Sequence, residues 1–378
     1  MADKTRIIFE DVGDVQKQVA KPGGIDAKSK GARGAIRIWL GMIFALVGIM
    51  ILVGGLTRLT DSGLSITEWA PFAGAMPPTT ETAWDEAFAK YKEIPEYQLQ
   101  NKGMALSEFK SIFWWEWGHR QLGRVIGLVW AVGFLGFLVT RKIPTGWTRK
   151  LLFLGALGGL QGAIGWWMVS SGLKEGMLDV ASYRLATHLG LAFVIFGFIT
   201  WYILQLARSE AALMQARRMA DARLSRLGTW LIVLAFVQIL LGALVAGIDA
   251  GRGFPDWPLM AGGFFPPQPF DLVPLWRNFF EDPGLVQFMH RMAGYILFGF
   301  GIYVWARARK NGNGRTRFAF NMMLAVMVLQ VVLGIVTVIY SAPAHIAIIH
   351  QLGAVVLWVV ILRARFLAGH PHPQSIRG

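Results

Sequence analysis

The chain has 378 residues, of which 54% are hydrophobic and only 16% charged, against about 25% charged in soluble domains. Its apolar residues fall in runs that reach the roughly 20 residues needed to cross a bilayer as a helix, which excludes a soluble globular protein. The net charge of +14 lies in short segments between those runs and reads as a topology signal rather than a nucleic-acid footprint, while the absence of cysteine excludes disulfides, thiolate metal sites and cysteine nucleophiles.

Residues 1–36 are polar and carry Glu10, Asp11, Asp14 and Asp26. That is too acidic for a transit peptide, and the apolar region begins too late for a signal peptide. The segment reads as a cytoplasmic tail. Eight apolar runs follow, near 37–57, 120–140, 150–170, 184–206, 227–247, 289–306, 318–340 and 346–363. Within lipid each must be helical, because every backbone polar group needs an internal partner. The expected fold is an all-α membrane protein with eight transmembrane helices.

Arginine and lysine orient them. Lys28, Lys30, Arg33 and Arg37 precede the first run, and Arg141, Lys142, Arg149 and Lys150 follow the second. Arg208, Arg217, Arg218, Arg223 and Arg226 follow the fourth, Arg307, Arg309, Lys310, Arg315 and Arg317 the sixth, and Arg363 and Arg365 the eighth. Every second connection is basic, so both termini are expected in the cytoplasm and the long connections 58–118 and 248–287 outside. The loop 58–118 is expected to be partly helical, with 106–118 extending the second span outward.

The halves resemble each other. His119-Arg120-Gln121-Leu122-Gly123 opens the second run and His290-Arg291-Met292-Ala293-Gly294 the sixth. Leu160-Gln161 with Gly165 recurs as Leu329-Gln330 with Gly334. His188-Leu189-Gly190 recurs as His350-Gln351-Leu352-Gly353. Matches in order at a near-constant offset point to two pseudo-symmetric four-helix bundles related by an axis along the membrane normal. The expected units are 37–206 and 227–365, with a cytoplasmic linker at 207–226 and a tail at 366–378.

Four of the seven histidines, His119, His188, His290 and His350, each begin an even-numbered run. All four therefore lie at one depth near the outer surface, two per half on different helices. A single such residue reads as a hydrogen-bonded helix contact; the repeated set, in a region where ionisable groups are rare and functional, points to iron ligation. Two histidines on two helices can grip a haem from opposite faces, whereas zinc wants a further protein ligand. Arg120, Arg124 and Arg291 suit either haem propionates or lipid headgroups. His345 lies in a short outer turn, and His370 and His372 are expected to be solvated. One difference separates the halves. Glu116 precedes His119 by three residues, placing both on one helix face, and the equivalent position is Gln287. The N-terminal half is thus expected to carry the chemistry and the other half a haem that transfers electrons.

The chain resembles the haem A synthase family over nearly all of its length. The specific signals are Gly54-Gly55-Leu56-Thr57-Arg58-Leu59-Thr60-Asp61-Ser62-Gly63-Leu64-Ser65, then Glu68-Trp69-Ala70-Pro71, Glu116-Trp117-Gly118-His119-Arg120 with Gly123-Arg124, Asp249-Ala250-Gly251 and Trp257-Pro258-Leu259-Met260. The resemblance implies oxidation of the C8 methyl of haem O to a formyl group through a hydroxymethyl intermediate. It implies that His119 and His188 bracket the substrate haem O, that His290 and His350 ligate a haem b cofactor, and that Glu116 is the catalytic carboxylate. Haem O synthase and terminal-oxidase assembly factors are the implied partners, beside an electron donor or acceptor and membrane lipid; a homo-oligomer is compatible with the sequence. Some branches carry a cysteine pair in an outer loop. This chain has none and resembles the proteobacterial and mitochondrial branch, and its acidic N-terminal tail favours a bacterial inner membrane with the haem sites toward the periplasm. Two other readings compete: a di-haem b electron-transfer cytochrome, which leaves Glu116 without a task, and a transporter, which requires no haem.

Overall fold

A computed structural model describes residues 30–374, with side chains from Ala32 onward. The expected tail residues 1–29 and the terminal residues 375–378 lie outside the described residues. Twelve α-helices are found among the described residues. Eight are long: α1 (Lys30–Leu59), α4 (Leu106–Val139), α5 (Thr148–Gly172), α6 (Ser182–Leu206), α8 (Ala222–Gly247), α10 (Pro283–Ala308), α11 (Gly314–Ile339) and α12 (Ala344–Gly369). Four are short: α2 (Glu81–Lys92), α3 (Pro95–Leu99), α7 (Glu210–Arg218) and α9 (Asn278–Glu281). The protein is an all-α, multi-pass membrane protein.

Every expected apolar run lies in one long helix. Seven of these helices are long and apolar enough to cross a membrane. The exception is α10, whose mean hydropathy is lowered by His290, Arg291 and Arg307. The long helices run past the apolar runs. α1 begins at Lys30, inside the presumed tail, and α12 continues to Gly369, beyond the presumed end of the membrane unit. The linker 207–226 contains α7, started by Ser209, whose side chain accepts from Ala212 N. Asp221, Asp282 and Asn313 cap α8, α10 and α11 in the same way, satisfying amides that the first helical turn leaves without partners.

α1 packs on α4 and α6, and α5 packs on α6 and α4. In the second half α8 packs on α10 and α12, and α11 packs on α12 and α10. The halves meet where α6 lies on α8 and α12 on α1, with α6 also touching α12. Central α6 buries Phe193, Phe196 and Ile199. Trp358 of α12 donates to the Phe193 carbonyl at 3.1 Å and lies against Gly197, the small residue that lets the helices close on the indole. The outward faces of α4 and α11 keep Leu128, Val132, Leu329 and Val332 exposed, as surfaces that meet lipid should.

The connection 58–118 is partly helical, as expected, and α4 begins at Leu106, ahead of the second apolar run. Trp84, Phe88 and Tyr91 of α2 pack with Phe109 and Phe113 of that extension into a small separate core. Phe88 and Phe109 stack with ring centroids 4.9 Å apart. Burying each such ring contributes about 1.5–3 kcal/mol, which holds α2 and α3 over the outer end of the bundle. Glu96 is buried beside them; its Oε1 accepts from the Tyr91 hydroxyl at 3.2 Å and from Asn101. Burial pushes the Glu96 carboxyl up to about 8, aided by the nearby carboxylates Asp179, Asp61 and Glu116.

Candidate haem-ligating site and the loops that cover it

The four histidines fall on four long helices: His119 on α4, His188 on α6, His290 on α10 and His350 on α12. All are half-buried. His119 and His188 sit on helices that both pack on α1 and α5, and His290 and His350 on helices that both pack on α8 and α11. Each half thus brings together its own pair. Among the described residues no three histidine or carboxylate side chains converge as a metal cluster; the histidines come in twos, the number that grips one macrocyclic iron from its two faces.

Each ring rests on a glycine of a neighbouring helix. A methyl group placed on Gly165 would come within 2.8 Å of His188 Cε1, on Gly242 within 3.0 Å of His290 Cε1, and on Gly334 within 3.1 Å of His350 Cε1. One turn before each of these glycines stands a glutamine. Gln161 Nε2 donates to the His188 carbonyl at 3.0 Å and lies 3.3 Å from its Nδ1. Gln238 treats His290 alike, at 3.0 and 3.1 Å, and Gln330 treats His350 alike, at 2.9 and 3.2 Å. The amide oxygens of all three glutamines are buried without a hydrogen-bond partner. The glutamine nitrogen also lies 3.5 Å from Nε2 of His188 and 3.3 Å from Nε2 of His290, so the amide rests on the imidazole instead of accepting from Nδ1, and two imidazoles in each half are the donor set that a haem iron takes. The residues present therefore fit haem ligands. Gln161 and Gln330 were visible in the sequence as marks of the repeat, not as partners of histidine; Gln238 escaped notice. The signal was the shared Gln-x-x-x-Gly spacing.

Glu116 is buried at 3% exposure. Four donors face its carboxylate. Oε2 accepts from Ser65 Oγ and Ile66 N, both at 2.7 Å. Oε1 accepts from Arg120 Nε at 3.1 Å and Nη2 at 2.6 Å. Arg120 also donates to the Ile66 and Glu68 carbonyls. Arg124 donates to those of Ala70 and Pro71, and Gln121 to those of Gly74 and Ala75. The second half repeats the device. Gln287 donates to the Ala250 carbonyl and accepts from Arg291, while Arg291 reaches the Phe254 and Leu259 carbonyls. The three arginines thus bind loop backbone. The connections 58–118 and 248–287 are strapped onto α4 and α10 beside the histidines.

Arg58, in the Gly54–Ser65 segment, joins the halves. Its guanidinium meets Asp61 at 2.7 Å, Asp249 at 3.0 Å and Asp179 at 3.5 Å. Asp61 and Asp249 both take left-handed backbone conformations, with φ near 48° and 51°, which aspartate tolerates better than most residues. Each ends the turn after the first long helix of its half. From α12, Gln351 also crosses between the halves, donating to the Ile51 carbonyl of α1 at 2.6 Å.

The remaining histidines divide. His345 is exposed at the start of α12. His370, expected to be solvated, is buried: its ring stacks on Phe366 with centroids 4.7 Å apart and its Nε2 accepts from Arg217 at 3.1 Å. Because α12 continues past the presumed membrane boundary, its last turn packs His370 against Trp201 of α6. His372 is half-buried.

The family described as cytochrome oxidase assembly protein matches residues 37–362, from α1 into α12. The chain is 63% identical over 377 residues to a heme A synthase of Ruegeria sp. (strain TM1040), and the match covers 99% of both chains. It is 62% identical to a heme A synthase of Roseobacter denitrificans, again over 99% of both. With the heme A synthase of Paracoccus denitrificans the identity is 56%, over 99% of this chain and 98% of the relative. Matched from end to end by these relatives, the chain belongs to the cytochrome oxidase assembly family that includes the heme A synthases.

Proposed function

We propose that this chain is a membrane-bound oxidoreductase that converts the C8 methyl of haem O to a formyl group through a hydroxymethyl intermediate, supplying haem A to terminal oxidases. The observation that carries the reading is the pairing of four membrane histidines, two per half, in a chain matched along its whole length by heme A synthases. His119 and His188 bracket the substrate haem O, and His290 and His350 hold a haem b cofactor. Bound haem supplies the redox chemistry; the chain supplies ligands, orientation and a closed site. Glu116 is assigned as the acid–base group of the substrate half. It is buried, lies one helical turn from His119, and has Gln287 as its counterpart. In the resting arrangement Ser65, Ile66 and Arg120 hold its carboxylate, so proton movement at Glu116 requires one of those contacts to loosen.

The mirrored packing of α1, α4, α5 and α6 and of α8, α10, α11 and α12 supports two four-helix units, residues 37–206 and 227–365, with α10 as an eighth span. The basic connections favour a cytoplasmic location for both termini and a periplasmic one for the haem sites, in a bacterial inner membrane. A haem O synthase and oxidase assembly factors are the partners this reading expects.

The test is co-expression with a haem O synthase in a host that makes no haem A, followed by mass analysis of the haems extracted from the purified protein. Haem A, or its hydroxymethyl precursor beside haem b, is the expected product. Glu116→Gln should retain bound haem and lose that product. Haem b alone, with haem O present in the membrane, would favour an electron-transfer cytochrome.

A further inference from the structure

His119 differs from the other three histidines in what holds its ring. His188, His290 and His350 each have a glutamine one turn before the supporting glycine. His119 is supported by Gly54, and one turn before Gly54 stands Met50. The correspondence is spatial as well as sequential. A methyl group on Gly294, in the second His-Arg-x-x-Gly segment, would lie 3.2 Å from Gln238 Nε2. On Gly123, its counterpart, it would lie 3.5 Å from Met50 Cε. Met50 therefore occupies the place of Gln238. A thioether offers no N–H, so it can donate neither to the His119 carbonyl nor to its ring as the glutamines do. The ring also sits differently. It turns Nε2 toward its glycine, at 3.2 Å from a methyl placed there, where the three clamped rings turn Cε1.

We propose that Gln161, Gln238 and Gln330 are positioning residues that lock His188, His290 and His350 as permanent iron ligands, and that His119, beside Met50, is the one exchangeable ligand. The inference rests on the assignment of the four histidines as haem ligands. It accounts for the different needs of the two sites. A cofactor haem stays, and both of its histidines are clamped. A substrate haem must arrive and its product must leave, and that site has one clamped ligand and one free to swing. Partners that fix the orientation of a ligating ring matter for binding, and removing one typically costs about 10–100-fold in metal affinity.

The experiment uses the full-length protein loaded with haem in the cell, reduced, and mixed with carbon monoxide, which binds iron only as an axial ligand departs. In the wild type one haem should react, that of the N-terminal half. Met50→Gln, which gives His119 the missing clamp, should slow that reaction by about 10-fold or more and raise the amount of haem O retained on purification. Met50→Leu, of similar size and without a polar group, should behave as wild type. Gln238→Met should make the second haem reactive. Equal rates in wild type and Met50→Gln, or an unreactive second haem in Gln238→Met, would overturn the proposal while leaving the ligand assignment standing. If alanine at His119, His188, His290 or His350 releases no haem, the assignment itself falls and the proposal with it.

Discussion

Removing Arg120 should cost more than neutralising the carboxylate it serves. In Arg120→Leu, Glu116 keeps only Ser65 and Ile66 as donors, and the Ile66 and Glu68 carbonyls lose theirs. The pair is well buried, with side-chain exposures of 20% and 4%. Breaking one partner of such a pair costs about 3–5 kcal/mol, because a charge is left buried and unpaired. Glu116→Gln is milder. Its amide oxygen can still accept from the Arg120 cation, as Gln287 does from Arg291 at 2.9 Å, while the Ile66 N–H loses its acceptor, at a cost of about 1–3 kcal/mol. In the double variant no charge is stranded, and the coupling between the two sites should exceed about 2 kcal/mol. The assay is thermal unfolding in detergent followed by tryptophan fluorescence, with limited proteolysis across residues 62–75 to report loop release. Additive costs, or a loop in Arg120→Leu as protected as in the wild type, would refute the view that this ion pair straps the loop to α4.

Glu96 predicts a pH dependence. Its folded-state value of about 8 lies above the ordinary 4.5, so burial of the anion costs nothing below pH 4.5, costs progressively more up to about 8, and is constant above. Outer-loop stability should therefore fall with rising pH by at most ~1.4 kcal/mol per unit. Glu96→Gln should flatten that slope in melts recorded from pH 5 to 9; an unchanged slope would count against Glu96 as its source. Phe109→Ala, at the centre of the aromatic cluster, should destabilise the α2–α3 segment by about 3–5 kcal/mol, read as faster proteolysis within residues 80–105. Gly334→Leu should push the His350 ring from its seat and release the haem of the C-terminal half while the other remains, measured as haem content per protein; full retention of both haems would contradict the glycine's role.

Much of this molecule could be read before any fold was known. The eight apolar runs had to be helices, because lipid offers the backbone no other partners, and all eight proved helical. The repeat singled out His119, His188, His290 and His350, because residues at matching places in matching helices stand out against the apolar runs around them. Glu116 was legible as the odd group of the repeat by its contrast with Gln287.

The partners of these residues were not legible. Helical periodicity reports which face of a helix is apolar, but the rotation that aims a side chain at a particular neighbour is set by packing between helices. Gln238 finds His290 across 52 positions of sequence, and Arg120 finds the Ile66 carbonyl across 54. No local pattern joins them. The same holds for Arg58, whose three aspartates come from two halves of the chain, and for His370, buried only because α12 runs past its apolar stretch and lays its last turn on α6. Sequence alone determined the helices, the repeat and the identity of the four histidines, since those follow from composition, spacing and the demands of the bilayer. Tertiary structure decided which residue holds which ring, which arginine straps which loop, and that His119 stands beside a methionine, because those depend on how eight helices turn against one another.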